Sequence, residues 1–261
     1  RDPNEKDRRN RFANSYWKTR HRKGVKLLDA QKLMRQRNYF GAMMVNEGEA
    51  DAIITGYTRN YASVIRPILE LVGMADGVTR IAASNLMLTK RGPMFLADTT
   101  INVDPTAEEL VKISQLTASL AKIFNIKPNI AMLSYSNFGS SIDENAKKIS
   151  RAIKNIHTNF PKVVVDGEIQ ADFALNPEML KKEFPFSKLV NKKVNVLIFP
   201  NLDSANITYK MMKELYDAES IGPIIMGLKK PAHILQLGAS VDEMVNMTAV
   251  AVIDAQEKAK F

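Results

Sequence analysis

Two hydrophobic periods alternate along this chain. Stretches with apolar residues every three or four positions read as amphipathic helices, and short apolar runs bounded by Gly, Pro, Asn or Asp read as buried strands. Residues 5–23 show the first pattern, with Phe12, Tyr16 and Trp17 set among charges. Residues 27–47 repeat it with Leu27, Leu28, Leu33, Met34, Phe40, Met43 and Met44, which predicts one long helix with a Met-rich core face. Residues 51–56 form an apolar run closed by Gly56, the shape of a buried strand, and residues 62–72 a further helix. A β pattern over 80–103 is interrupted by an Arg91-Gly92-Pro93 turn. Thr106 and Glu109 then open a helix with the spacing of a capping box. Strands at 130–133, 163–165 and 194–199 alternate with helices at 143–157, 177–184 and 204–216. A last helix, 241–259, is capped by Ser240. Strand–helix alternation at this spacing predicts βαβ units, an α/β class and a mainly parallel sheet. The Gly/Pro-punctuated stretch 221–231 predicts a crossover between two subdomains, 1–72 with 223–261 and 73–222.

Charge is concentrated at one end. The 261 residues carry a formal net charge of +9. Residues 1–37 hold 13 Lys/Arg against 4 Asp/Glu, so that arm accounts for all of it and the remainder is neutral. A nucleic-acid binder spreads basic residues over its reading face, whereas this arm has helical, amphipathic aromatic spacing. A docking surface, within a larger parent chain or between subunits, is the reading adopted. No apolar run reaches the roughly 18 residues of a membrane helix, and the start has no signal-peptide core. Cysteine is absent, which excludes disulfides and thiolate chemistry and fits a cytoplasmic protein. His21, His157 and His233 lie far apart, giving a metal site little support. His233 sits in an apolar run and reads as a core histidine.

Candidate chemistry lies where strands end, the place ligands bind in open α/β sheets. Three junctions are unusually polar. They are Ser134-Tyr135-Ser136-Asn137-Phe138-Gly139-Ser140-Ser141, Asp166-Gly167-Glu168-Ile169-Gln170-Ala171-Asp172 and Pro200-Asn201-Leu202-Asp203-Ser204-Ala205-Asn206. Small hydroxyls and Gly139 let backbone N–H groups approach an anion. Each junction alone is ordinary turn and cap chemistry; three at one sheet edge point to a ligand site. Arg66, flanked by Ile65 and Pro67, is a candidate anion partner or a surface charge.

These motifs in this order resemble the phosphate acetyl/butyryl transferases. Besides the junctions, the carriers are Gly48-Glu49-Ala50-Asp51-Ala52, Ile65-Arg66-Pro67, Ala97-Asp98, Asp104-Pro105-Thr106-Ala107-Glu108-Glu109, Phe199-Pro200-Asn201-Leu202, Ile221-Gly222-Pro223 and Lys230-Pro231. The resemblance implies a three-layer α/β/α fold of two subdomains, similar to the isocitrate/isopropylmalate dehydrogenase arrangement. It also implies a dimer, and acyl-coenzyme A held between the subdomains. Arg66, Ser134, Tyr135, Ser136, Asp166, Asp203, Asn206 and Lys230 are the ligand residues it suggests. The family's opening strands and helices have no counterpart here, and with no initiator Met the chain reads as part of a longer one.

Two departures from the family pattern bear on function. Active members follow Lys-Pro with Ser-Arg-Gly, which holds phosphate, and an Asp base six residues after the Arg. Here Gln236 and Leu237 stand at the Ser and Arg positions and Glu243 at the base position. A Leu cannot supply forked, charged hydrogen bonds to phosphate, and losing such a clamp costs roughly 10²–10³-fold or more in rate. His233-Ile234-Leu235 with Val245-Asn246-Met247-Thr248-Ala249, and the basic arm, resemble the C-terminal transferase-like domain of hybrid NADP-dependent malic enzymes. That subgroup implies acetyl-coenzyme A as a regulatory effector, homo-oligomer contacts, and a malic-enzyme catalytic domain in the same parent chain. NADP and a divalent metal would serve that catalytic region and not these residues. The alternative is an active phosphate acetyltransferase in which Lys229 or Lys230 replaces the missing Arg.

Overall fold

The computed structural model describes residues 5–216 and 218–259. In chain order the elements are helices α1 (Lys6–Arg20), α2 (Leu27–Leu33) and α3 (Arg37–Asn46), strand β1 (Ile53–Thr55), α4 (Tyr61–Leu71), then β2 (Ala82–Thr89) and β3 (Gly92–Ala97). There follow α5 (Ala107–Ile123), β4 (Asn129–Leu133), α6 (Glu144–Asn159), β5 (Val164–Ile169), α7 (Ala171–Leu175), α8 (Pro177–Glu183) and β6 (Val196–Ile198). The chain ends with α9 (Leu202–Tyr216), β7 (Glu219–Met226), β8 (Ala232–Ile234) and α10 (Val241–Lys258). Two compact units result, Arg1–Thr79 with Leu228–Phe261 (unit 1) and Arg80–Gly227 (unit 2). The pattern of the sequence places these divides at 72/73 and 222/223 instead.

In unit 1, β1 and β8 pair in parallel, Ile53 opposite Ala232 and Thr55 opposite Ile234. The basic arm is part of this unit's core. Phe12, Ala13 and Tyr16 pack with Ala30, Met34, Phe40 and Met43, and the Phe12 and Phe40 rings lie 5.2 Å apart. Its charges are partly neutralised at home, since Arg8 and Arg11 both pair with Glu49. The single helix anticipated over 27–47 is two helices, with Gln36 in an extended conformation between them. Burial explains the break. On one straight helix Met34 and Met43 would face about 180° apart, yet both are fully buried in the same cluster.

Unit 2 is a six-stranded sheet in the order β5-β4-β6-β3-β2-β7. The first four strands run parallel; β2 is antiparallel to both β3 and β7. The sheet is therefore mixed. The two residues Lys90-Arg91 between β2 and β3 can join only antiparallel strands. The stretch read as a crossover, 221–231, is first of all strand β7. Gly222 (φ 144°) brings its backbone against β2, where a Cβ would sit 3.0 Å from Ser84 O. β7 lies at the sheet edge, so Pro223 can occupy it despite lacking an N–H. The chain leaves unit 2 only at Gly227/Leu228. The anticipated caps are present. Thr106 and Glu109 form a capping box at α5, and Ser240 and Glu243 form another at α10.

Candidate functional site

In unit 2 the polar groups beyond the strands are turned onto the chain itself. Strand β5 continues past Val165 through Ile169, so Asp166 lies within it rather than in a loop. The Asp166 carboxylate is buried and accepts from Ser187 Oγ (2.9 Å) and Lys188 N (2.7 Å). The loop after β4 does form an anion-accepting cradle, and its occupant is the protein's own Glu168. That side chain is 1% exposed, and its Oε1 accepts from Gly139 N–H and from Ser136 Oγ. Ser136 Oγ in turn accepts from Ser141 N (3.1 Å). Ser134 N–H is tied to Ile169 O (2.9 Å), and Gln170 Nε2 donates to Tyr135 O (2.6 Å). Of this loop's candidates, Tyr135 keeps an exposed ring, its hydroxyl 2.9 Å from Ser141 Oγ.

The third junction behaves similarly. Asn206 Nδ2 donates to Thr99 O (3.0 Å), and Asp203 is exposed in the first turn of α9. Thr99 belongs to a segment organised by Asp98, whose buried carboxylate accepts from the N–H groups of Thr100, Ile101 and Asn102 and from the Asn102 amide. Burial pushes the Asp98 carboxyl up, and these donors only partly counter it.

Unit 1 places Arg66 on the wall of a cavity of about 540 Å³, which Tyr16, Arg20, Lys23, Tyr39 and Glu70 also line. Arg66 Nε donates to Glu70 Oε1 at 2.8 Å, one helical turn on, while its side chain stays 74% exposed. Tyr16 (3.0 Å) and Tyr39 (2.8 Å) both donate to Glu70 Oε2, and Arg20 donates to Glu70 O (2.8 Å). Burial pushes the Glu70 carboxyl up, but donation from Arg66, Tyr39 and Tyr16 outweighs it and the group lies below its usual range. Burial and then the Glu70 hydrogen bond push Tyr16 up to about 12, and the same two causes raise Tyr39. Both therefore remain donors at neutral pH. The Arg66–Glu70 spacing is legible in the sequence; Tyr16, Arg20 and Tyr39 come from other helices and carry no such signal.

Lys230 is engaged by the chain itself in this structure. Its Nζ donates to Val45 O (2.8 Å) and Asn46 O (3.0 Å), closing the C-terminal turn of α3. Leu237 is 74% exposed on the turn after β8, and Gln236 beside it is exposed. Glu243 holds Ser240 N–H with its carboxylate (2.8 Å) as part of the α10 cap. His233 is buried as anticipated, with Nε2 3.3 Å from Asp254 Oδ2. Burial pushes Asp254 up, but His233 and Lys258 outweigh it and hold the carboxyl below its usual range. Among the described residues no group of three or more His, Asp or Glu side chains could hold a metal ion, and no helix is long and apolar enough to cross a membrane.

Known proteins similar to this chain include malic enzymes and phosphate acetyltransferases. The chain is 36% identical over 256 residues to the NADP-dependent malic enzyme of Escherichia coli (strain K12), an alignment covering 97% of this chain and 34% of that protein. It thus spans about a third of the malic enzymes it matches. It is 33% identical to the phosphate acetyltransferase of Acetivibrio thermocellus, covering 94% of this chain and 76% of that one. A phosphotransacetylase crystal structure from Streptococcus pyogenes superposes with a TM-score of 0.90 at 35% identity, covering 99% of this chain and 78% of the other. The profile of the phosphate acetyl/butaryl transferases matches residues 1–252. A mixed α/β fold of phosphotransacetylase type, carried by a sequence that matches the family profile into α10, makes this chain a member of the phosphate acetyl/butaryl transferase family.

Proposed function

We propose that this chain is a regulatory, acetyl-coenzyme A-binding domain of an NADP-dependent malic enzyme that no longer transfers acetyl groups to phosphate. The observation that carries the reading is Leu237. It occupies the position where the family resemblance calls for a phosphate-holding Arg, and an exposed Leu offers phosphate neither charge nor donor. Glu243, at the position of the catalytic base, has a carboxylate committed to the α10 cap. Identity to about a third of the length of malic enzymes on one side, and the polar cavity of unit 1 on the other, support the two halves of the proposal.

Acetyl-coenzyme A brings several negative charges. Arg20, Lys23 and Arg66, around the unit 1 cavity, are the cations suited to hold them, with Glu70 fixing the base of Arg66 so that its outer guanidinium nitrogens stay open. Regulation then requires that the ligand bind one arrangement of the parent protein better than another. The parent's reaction, oxidative decarboxylation of malate to pyruvate, would take place outside these residues with NADP and a divalent metal. Assembly into a homo-oligomer and a cytoplasmic location complete the proposal. Calorimetric titration tests it. Saturable acetyl-coenzyme A binding that Arg66→Ala weakens at least tenfold supports it, and no binding at about millimolar ligand overturns it.

Full-length phosphate acetyltransferases are also relatives, and they keep a second reading alive in which this chain is an active acetyltransferase. Of the two stand-in cations that reading offers, Lys230 is bound to the end of α3 and Lys229 lies 3.8 Å from Asp76, which favours the first reading.

A further inference from the structure

The edge of the unit 2 sheet opposite the polar junctions is lined with cations. Strands β5, β4, β6 and β3 run parallel, so their N-terminal ends share this edge. Strand β2 is antiparallel, so the β2–β3 turn lies there too. In sheet order the row is Lys162 before β5, Lys127 before β4, Lys192 and Lys193 before β6, and Arg91 and Lys90 in the turn. With strands about 4.8 Å apart it runs roughly 19 Å. Two asparagines tie its centre: Asn195 Nδ2 donates to Lys127 O (2.9 Å) and Asn129 Nδ2 to Lys193 O (2.8 Å). At Gly92 a Cβ would sit 3.5 Å from Lys193 Nζ, so the turn lies against the same row. All six side chains are exposed, and none makes a hydrogen bond or ion pair among the described residues. The segments 89–92, 124–128, 160–163 and 190–195, which turn the chain here, contain no Asp or Glu. Glu219, which opens β7 at the end of this edge, is already engaged. Helices α5, α6 and α9 run back to this edge, and their C-terminal carbonyls, each roughly half a negative charge, offset fewer than two of the six cations.

We infer that this edge is a docking surface for an extended acidic segment of a partner protein, a role outside the proposed function. In water the mutual repulsion of such exposed charges is small enough for the fold to carry the row, while their summed potential attracts an anion. Five of the six cations are Lys, a flexible point charge that meets carboxylates without a fixed fork geometry. An extended segment rises about 3.3 Å per residue, so roughly six residues span the row, and carboxylates on alternate residues all face it. Nucleic-acid strands and lipid surfaces are poorer fits. Both gain from exposed aromatic or aliphatic groups, which stack on bases or enter the bilayer, and no Phe, Ile or Val of these turns is exposed. Phe124 packs inward on Phe95, ring centres 5.8 Å apart. The sequence hides the row, because its members come from four separate turns and only the strand order brings them together.

The test is fluorescence anisotropy of the 261-residue chain with a blocked peptide of about ten residues, alternating Glu and Ser and carrying a neutral fluorophore. The expected result is saturable binding that weakens at least tenfold as salt rises from about 50 to about 200 mM. Lys127→Gln with Lys193→Gln, at the centre of the row, should weaken it tenfold or more. Lys18→Gln with Arg22→Gln, which removes two exposed charges of the basic arm, should change it less than twofold. All four side chains are exposed, so both variants should melt with the parent chain. If the central pair melts lower, Lys90→Gln with Lys162→Gln reads the same row from its ends, with a loss of about threefold or more expected. Oligothymidylate of equal charge and phosphatidylserine vesicles should bind no tighter than the peptide. Absence of saturable binding at about millimolar peptide, equal loss in the arm variant, or tighter binding of oligothymidylate or vesicles to the row each overturns the inference. Acetyl-coenzyme A should bind the central variant as it binds the parent chain. Its failure to bind either would sink the proposed function and leave this surface standing.

Discussion

In unit 2 the groups that the sequence marks as ligand candidates point back at the protein. Glu168 fills the cradle made by Ser136 and Gly139, Asp166 holds Ser187 and Lys188, and Asn206 holds Thr99. In unit 1 some positive groups stay open, although Arg8 and Arg11 pair with Glu49 and Lys230 donates to the end of α3. Arg66 is secured by Glu70 yet mostly exposed, and Arg35, Arg37 and Arg59 have no partner at all among the described residues. Polar residues at strand ends thus divide into those that build a loop and those left open by it. Spacing in sequence cannot separate the two classes, because the difference is whether a partner arrives from elsewhere in the chain.

Removing Glu168 is the strongest way to break this comparison. Glu168→Ala leaves the Gly139 N–H and Ser136 hydroxyl buried beside a void, and about 3 kcal/mol of stability should go, read as a drop in the urea midpoint. An unchanged midpoint would mean the cradle is a vacant binding site with a replaceable occupant. In unit 1, Glu70→Gln should cost about 1–2 kcal/mol by weakening the bonds from Tyr16, Tyr39 and Arg66. The accompanying pH effect has a definite sign. A carboxyl whose folded pKa is lowered contributes stability above its unfolded value of roughly 4.3–4.5, and that contribution is lost as pH falls through the folded value. The parent chain should therefore lose this part of its stability in acid, and Glu70→Gln should not; parallel acid titrations of the two would contradict the network. The smallest effect belongs to Lys230→Met. Releasing the last carbonyls of α3 should cost about 1 kcal/mol while acetyl-coenzyme A affinity shifts less than twofold, and a tenfold affinity loss would return Lys230 to the ligand site.

Legibility in the sequence follows the range of the interaction. The boxes at Thr106 and Ser240 depend on residues three apart and are visible directly. The alternation that predicts parallel strands is local as well, and it succeeds for β4, β5 and β6. The break at Gln36 is invisible because no breaker residue marks it; the common core of Met34 and Met43 enforces it. Gly222-Pro223 carries a strong turn signal, yet close approach to β2 and an edge position make it strand. For the site, the Arg66–Glu70 pair can be read from helical spacing, whereas the two tyrosines that complete it come from α1 and α3. Lys230 has the chemistry of a phosphate ligand, and its contacts with the last carbonyls of α3, far away in sequence, carry no local signal.

The claim that ligand binding persists without phosphate chemistry is tested most directly by acetyl phosphate formation from saturating acetyl-coenzyme A and inorganic phosphate. The natural chain should show no turnover above background, and measurable acetyl phosphate should appear once Gln236→Ser and Leu237→Arg are introduced together. Turnover by the natural chain comparable to that of an intact phosphotransacetylase would contradict that claim.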